Sequence, residues 1–307
     1  MNRASASRQT AANLSDTRGT RLGSAILRGI LSIFGPAAAC FLVKFIALVY
    51  TLTDRQAEQR VLPYLKRRFP EARGLRMKRH VWRLFTAQGE ALIMALALAN
   101  GQAKVRERNA DVFRPVRDAP GGLVFLCSHF GAWQAAMHCV DAGSRRVAFV
   151  AKPDRNANVD KSRAFNGGET APMRIIDTAG AFGGLLEAFE VLEAGGAVGL
   201  MGDRCLETDS VPVRFFGETA HFPAAAFFLA AKAHVPVVPF FLTRGGSYRE
   251  LQLEFGTVVR PARPVRGGGT GIKDQADVQT YAADLERMAM AHPYDCFLFE
   301  NAWEERA

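Results

Sequence analysis

His129 stands five residues before Gln134 in the stretch Cys127-Ser128-His129-Phe130-Gly131-Ala132-Trp133-Gln134. Imidazole titrates near neutrality, so a histidine fixed in place can take the proton of an attacking hydroxyl. Such a base works best with a carboxylate behind it, which fixes the ring tautomer and stabilises the imidazolium formed during attack. Gln134 cannot carry that charge. Its side-chain oxygen can still accept a hydrogen bond from the ring N–H, keeping orientation while losing charge stabilisation. Three readings therefore stand: Gln134 orients His129, another carboxylate substitutes for it, or the chemistry has been lost and the fold only binds. Asp141 lies twelve residues beyond His129, too far along one helix to touch a histidine at its start. His138 projects from the same helix two to three turns away and reads as a helix-face residue.

The elements that must position His129 are legible on either side of it. An apolar run, Gly122-Leu-Val-Phe-Leu-Cys127, precedes the histidine, and residues 131–142 suit a helix. From residue 121 onward short β-rich runs alternate with helical ones. "RVAFVAK", "MRIID", "AVGLMG", "PVVPFFLT" and "LQLEFGTVV" read as strands; 181–195, 222–234 and about 277–291 read as helices. This alternation predicts an α/β fold with a largely parallel central sheet flanked by helices. Ligands of such sheets sit beyond the carboxyl ends of the strands, where His129 lies. Upstream, residues 55–80 are basic and helix-favouring, and 81–101 form one long apolar helix.

The formal net charge of +9 is concentrated. Residues 1–80 carry 15 Lys/Arg against 4 Asp/Glu, a net of +11, whereas residues 81–307 carry a net of −2. The basic excess coincides with the apolar stretch of residues 21–54, which Gly35-Pro36 should break into two linked helices. Its uncharged runs fall short of the ~20 residues of a straight membrane span. Two helices dipping into one leaflet fit this pattern, and a buried helical hairpin is the alternative. An anionic membrane surface is the first partner expected, an acidic carrier protein the second, and no nucleic-acid-reading pattern is found. Residues 1–20 read as a disordered tail, residues 21–54 as membrane-associating helices and residues 55–307 as a single α/β domain. The five cysteines are scattered without a CxxC pair, which argues against a zinc site or a disulfide framework. No metal and no cofactor is expected.

The stretch "HFGAWQ", with "GDRCLETDSVPVRFFGETAHFPAAAFFLAAKAHVPVVPFFLTR" downstream and the closing "HPYDCFLFENAW", resembles the late acyltransferases of lipid A biosynthesis. These belong to the lysophospholipid acyltransferase superfamily, whose hallmark is His-x4-Asp/Glu. The resemblance covers nearly the whole chain and departs from the family at Gln134. It implies transfer of a fatty acyl group from an acyl-carrier-protein or CoA thioester to a hydroxyl of a lipid or glycolipid acceptor. The site implied is the cytoplasmic face of a Gram-negative inner membrane, with the protein peripheral or monotopic. His129 would be the base and Gln134 its orienting partner. Arg174 and Asp203 match a family arginine and aspartate, either for phosphate binding or as an internal ion pair shaping the pocket. Arg204 and Arg155 are further candidates for phosphate contact, and Trp133 for core packing or the acyl tunnel. Glu218, after the "FFG" segment that the family places near the acyl site, is the preferred carboxylate should one replace Gln134. The competing class is a catalytically silent lipid- or acyl-binding protein of the same fold.

Overall fold

The computed structural model describes residues 21–151, 174–179, 181–204, 210–262 and 272–304. The expected tail at 1–20 and Arg155 lie outside the described residues.

Helix α1 runs Arg21–Thr53 and is broken at Gly35 (φ 79, ψ 179), directly before Pro36. That backbone conformation is open to glycine, and the proline that follows removes a hydrogen bond, so the break falls where the sequence places it. Asp54 caps the next helix, α2 (Arg55–Arg68), by accepting from the Ala57 N–H at 2.9 Å. Helix α3 (Gly74–Ala99) follows, starting seven residues before the expected position.

Strand β1 (Lys104–Glu107) and helix α4 (Ala110–Arg117) were not legible in the sequence. Then come β2 (Leu123–Cys127), α5 (Trp133–Cys139), β3 (Val147–Ala151) and β4 (Arg174–Asp177). They are followed by α6 (Leu185–Glu193), β5 (Ala197–Met201), β6 (Ser210–Phe215) and β7 (Glu218–Pro223). Helix α7 (Ala225–Ala233), β8 (Val237–Arg244), β9 (Glu250–Phe255) and α8 (Ile272–Ala291) complete the order.

Seven strands form one sheet in the order β1-β9-β8-β2-β5-β3-β4. Every neighbouring pair is parallel except β8–β9. The fold is thus the expected α/β architecture with a mostly parallel sheet flanked by helices.

All five residues of β2 are buried, the pattern of a strand covered on both faces. Its alternation divides the core: Leu123, Phe125 and Cys127 join the layer holding α1 and α5, whereas Val124 and Leu126 face α7, α8 and the β6–β7 hairpin. Helix α1 contributes Leu31, Ala39, Cys40 and Val43 to the first layer, so one of its sides is part of the core. The opposite side leaves Ile33, Phe34, Phe41, Phe45, Val49 and Leu52 exposed. Among the described residues, Ala25–Thr53 and Gly74–Ala99 are long and apolar enough to cross a membrane. Helix α3, however, spends much of its apolar surface on both core layers.

Candidate active site

Strand β2 ends at Cys127, and the chain must turn sharply before α5 begins at Trp133. Gly131 makes the turn with φ +54, where a Cβ would lie 2.1 Å from the Leu242 carbonyl oxygen. Only glycine admits both the backbone conformation and that approach. The Gly131 N–H donates to Asp295 O, the Ala132 N–H to Leu242 O and the Phe297 N–H to His129 O, each at 2.8 Å. The segment "DCF" near the C-terminus therefore lies beside the histidine turn and holds it through the backbone.

Asp203 follows β5, the strand adjacent to β2, so the two strand ends deliver His129 and Asp203 side by side. The His129 backbone N–H donates to Asp203 Oδ2 at 2.9 Å. The ring nitrogen Nδ1 lies 3.1 Å from both carboxylate oxygens. The His129 side chain is 15% exposed and that of Asp203 1%, so the carboxylate is shielded and the imidazole is reachable. Burial pushes the Asp203 carboxyl up. The charge and hydrogen bonds of His129, with the charge of Arg204, outweigh it and hold the group below the usual carboxylate range. Beneath the pair, the buried Tyr281 hydroxyl donates to the Cys127 carbonyl at 3.2 Å, fixing the last residue of β2.

The expected orienting bond from Gln134 is not made. Gln134 Oε1 is buried with no hydrogen-bond partner among the described residues, and Asp203 occupies His129 Nδ1. A carboxylate does stand behind the histidine, supplied by the neighbouring strand rather than by the helix. Glu218 does not fill that place. It opens β7, is 57% exposed and pairs with Arg67 at 2.6 Å.

The alternative Arg174–Asp203 ion pair is likewise absent. Arg174 opens β4 in register with Ala148 and Val198, so it starts an edge strand far from the carboxyl ends of the sheet. It pairs instead with Glu187 at 2.5 Å. Arg204 adjoins Asp203, and its Nε is buried without a partner among the described residues. Trp133 packs on the histidine, ring centroids 4.7 Å apart and 59° between planes. Asp141 pairs with Arg117 at 3.2 Å, and burial lowers the His138 pKa. Among the described residues, no group of three His, Cys, Asp or Glu side chains could hold a metal ion.

The His129–Asp203 contact and the supports from Tyr281, Asp295 and Phe297 escaped sequence reading. The available signal for Asp203 was its place at the end of the apolar run "AVGLMG", matching His129 at the end of "GLVFLC".

The fold and site together define an α/β protein whose mostly parallel sheet sets a shielded carboxylate behind a reachable imidazole at its strand ends. The chain belongs to the bacterial lipid A biosynthesis acyltransferase family, whose profile matches residues 7–305. That membership makes it an acyltransferase by family and associates it with bacterial membranes. A search of curated proteins finds no match.

Proposed function

We propose that this protein moves a fatty acyl group from an acyl-carrier-protein or CoA thioester to a hydroxyl of a lipid or glycolipid acceptor. The place of reaction would be the cytoplasmic face of a bacterial inner membrane. His129 is the general base, and Asp203 holds its tautomer and balances the imidazolium. The observation that carries this reading is the bidentate approach of the buried Asp203 carboxylate to His129 Nδ1. With Nδ1 donating its proton to Asp203, the lone pair of Nε2 is free to accept the acceptor's hydroxyl proton. The alkoxide oxygen bonds to the thioester carbon as that proton moves. The C–S bond then breaks, and the imidazolium returns the proton to the leaving thiolate. No acyl-enzyme is needed when both substrates bind together.

Gln134 takes no part in orienting the base on this reading. The exposed apolar side of α1 and the basic excess of residues 1–80 would hold the chain at an anionic bilayer. The test is the initial rate of labelled acyl transfer from thioester to isolated membranes, for the parent, His129→Ala and Asp203→Asn. Loss of transfer in His129→Ala and a severe drop in Asp203→Asn are expected. Transfer unaffected by His129→Ala would overturn the assignment. Acyl binding without transfer in the parent would make the protein a silent binder.

A further inference from the structure

The sheet edge that carries His129 continues away from Asp203. Strand β8 runs parallel to β2 and ends at Arg244. Antiparallel β9 begins next to that end, with Arg249 just before it, and β1 begins at Lys104 in register with Glu250. Arg244, Arg249 and Lys104 thus stand along one edge, and Lys104 lies three strand spacings, about 14 Å, from the strand that delivers His129.

An open cavity of about 360 Å³ sits there, lined by Gly101, Gln102, Lys104 and Arg249. The break in α1 lies against it. Gln102 Nε2 donates to Leu31 O at 3.3 Å, and Arg249 Nη2 lies 3.8 Å from where a Cβ on Gly35 would be. Lys104 and Arg249 form no ion pair among the described residues, and the adjacent Glu250 is engaged by Arg106 at 3.6 Å. Immediately before the break, Ile33 and Phe34 are 75% and 69% exposed. Two uncompensated cations next to exposed apolar side chains suit a ligand with an anionic head and an apolar tail. Two cations also match the near-double charge of a phosphate monoester better than a single carboxylate.

We propose that this cavity binds the phosphate of an anionic lipid headgroup, seating the acceptor lipid with its hydroxyl toward His129. Its role in catalysis rests on the acyl-transfer reading, but its binding does not. The experiment is co-sedimentation of the full chain with phosphatidylcholine vesicles doped with phosphatidic acid, or with oleic acid to the same surface charge. The Lys104→Gln/Arg249→Gln variant should bind phosphatidic acid vesicles about tenfold more weakly than the parent, with little change on oleic acid vesicles. Arg146→Gln/Arg260→Gln removes two exposed charges at the opposite end of the sheet, beside the first residues of β3 and β8, and should leave both nearly unchanged.

Undiminished binding by the cavity variant would overturn the proposal, as would an equal loss in the control pair or on oleic acid vesicles. Release of the parent by millimolar inorganic phosphate would reassign the cavity to a free phosphate ester and sink the lipid. Thermal melts confirm that each variant folds. No acyl transfer is read, so an inactive protein that still makes this discrimination would refute the enzymatic reading and leave the headgroup site standing.

Discussion

The strand-end site and the outer side of α1 invert the usual rule of burial in opposite senses. At the strand ends a carboxylate is buried, and it is tolerated because His129 meets it with a backbone N–H and a ring nitrogen. On α1, large apolar side chains face outward in a run from Ile33 to Leu52, while Leu31, Ala39, Cys40 and Val43 on the other side are sealed into the core. On the proposed function the buried charge serves the chemistry and the exposed apolar stripe meets a nonpolar surrounding. The two regions answer to different tests, because one should fail in rate and the other in location.

The largest effect belongs to the dyad. His129→Ala should abolish acyl transfer, and Asp203→Asn should cut the initial rate by roughly 10²–10⁴. Both proteins should still reach the membrane fraction. The mirror experiment places charge on the outer side of α1. Phe41→Glu/Phe45→Glu alters only exposed positions and each change removes about 2 kcal/mol of apolar burial in a bilayer. It should move the protein to the soluble fraction after centrifugation with an unchanged melting temperature. Truncating α1 would be a poorer test, since it would also strip Leu31, Ala39, Cys40 and Val43 from the core.

Two aspartates beside the histidine turn, Asp203 buried and Asp295 largely covered, sharpen the same contrast by pH. Asp203 is held low by His129, so its stabilisation is fully present above the ordinary carboxylate range and is lost as pH falls through its depressed folded value. Asp295 is pushed up to about 7 by burial. Among the described residues the basic nitrogen nearest to it in a salt-bridge contact is His292 Nδ1 at 3.9 Å, whose protonation burial disfavours, and Arg244 only partly offsets the burial. A raised carboxyl disfavours folding as pH rises from the unfolded value through the folded one. Asp295→Asn should therefore raise the melting temperature by a few degrees above pH 7 and do little near pH 4. Asp203→Asn should destabilise near neutrality, with the difference shrinking in acid. Melting curves across pH 3–9 decide both.

How much of this was legible depended on how locally each feature is encoded. The strand ending at Cys127, the break at Gly35-Pro36 and the position of His129 are written in neighbouring residues, and all three stand where the sequence places them. The hairpin of β6 and β7 was missed, and helix α7 was started at residue 222 instead of Ala225, because Pro212 and the phenylalanines mask a strand pattern. The overlooked signal was Phe216-Gly217, with φ of 50° and 79°, the two-residue left-handed turn that suits a tight hairpin. The sequence singles out both Asp203 and His129 but not their pairing, because the two are 74 residues apart. Their meeting depends on β5 inserting between β2 and β3 in the sheet. Strand order of that kind is decided by the packing of whole layers, and no local pattern states it.

The smallest expected effect tests whether the family position still matters once a second strand supplies the carboxylate. If Gln134 were the orienting partner of His129, Gln134→Glu would restore a charge pair and raise the rate. With Asp203 already at 3.1 Å from Nδ1, the ring nitrogen has no second proton to give there. A glutamate at 134 would instead bring another buried charge toward Asp203, since Gln134 Oε1 is enclosed without a donor. Gln134→Glu should therefore change the initial rate by less than about tenfold, the equivalent of 1.4 kcal/mol in barrier, and lower the melting temperature. Glu218→Gln removes only the exposed member of a pair whose largely covered Arg67 keeps Pro63 O and the Trp303 ring, and should leave the rate unchanged. The decisive measurement is the double variant Asp203→Asn/Gln134→Glu. Recovery of most of the rate lost in Asp203→Asn would mean that the helix position can still serve the histidine. No recovery would mean that the turn at Gly131, clamped to Asp295 and Leu242, has committed His129 to the carboxylate of β5.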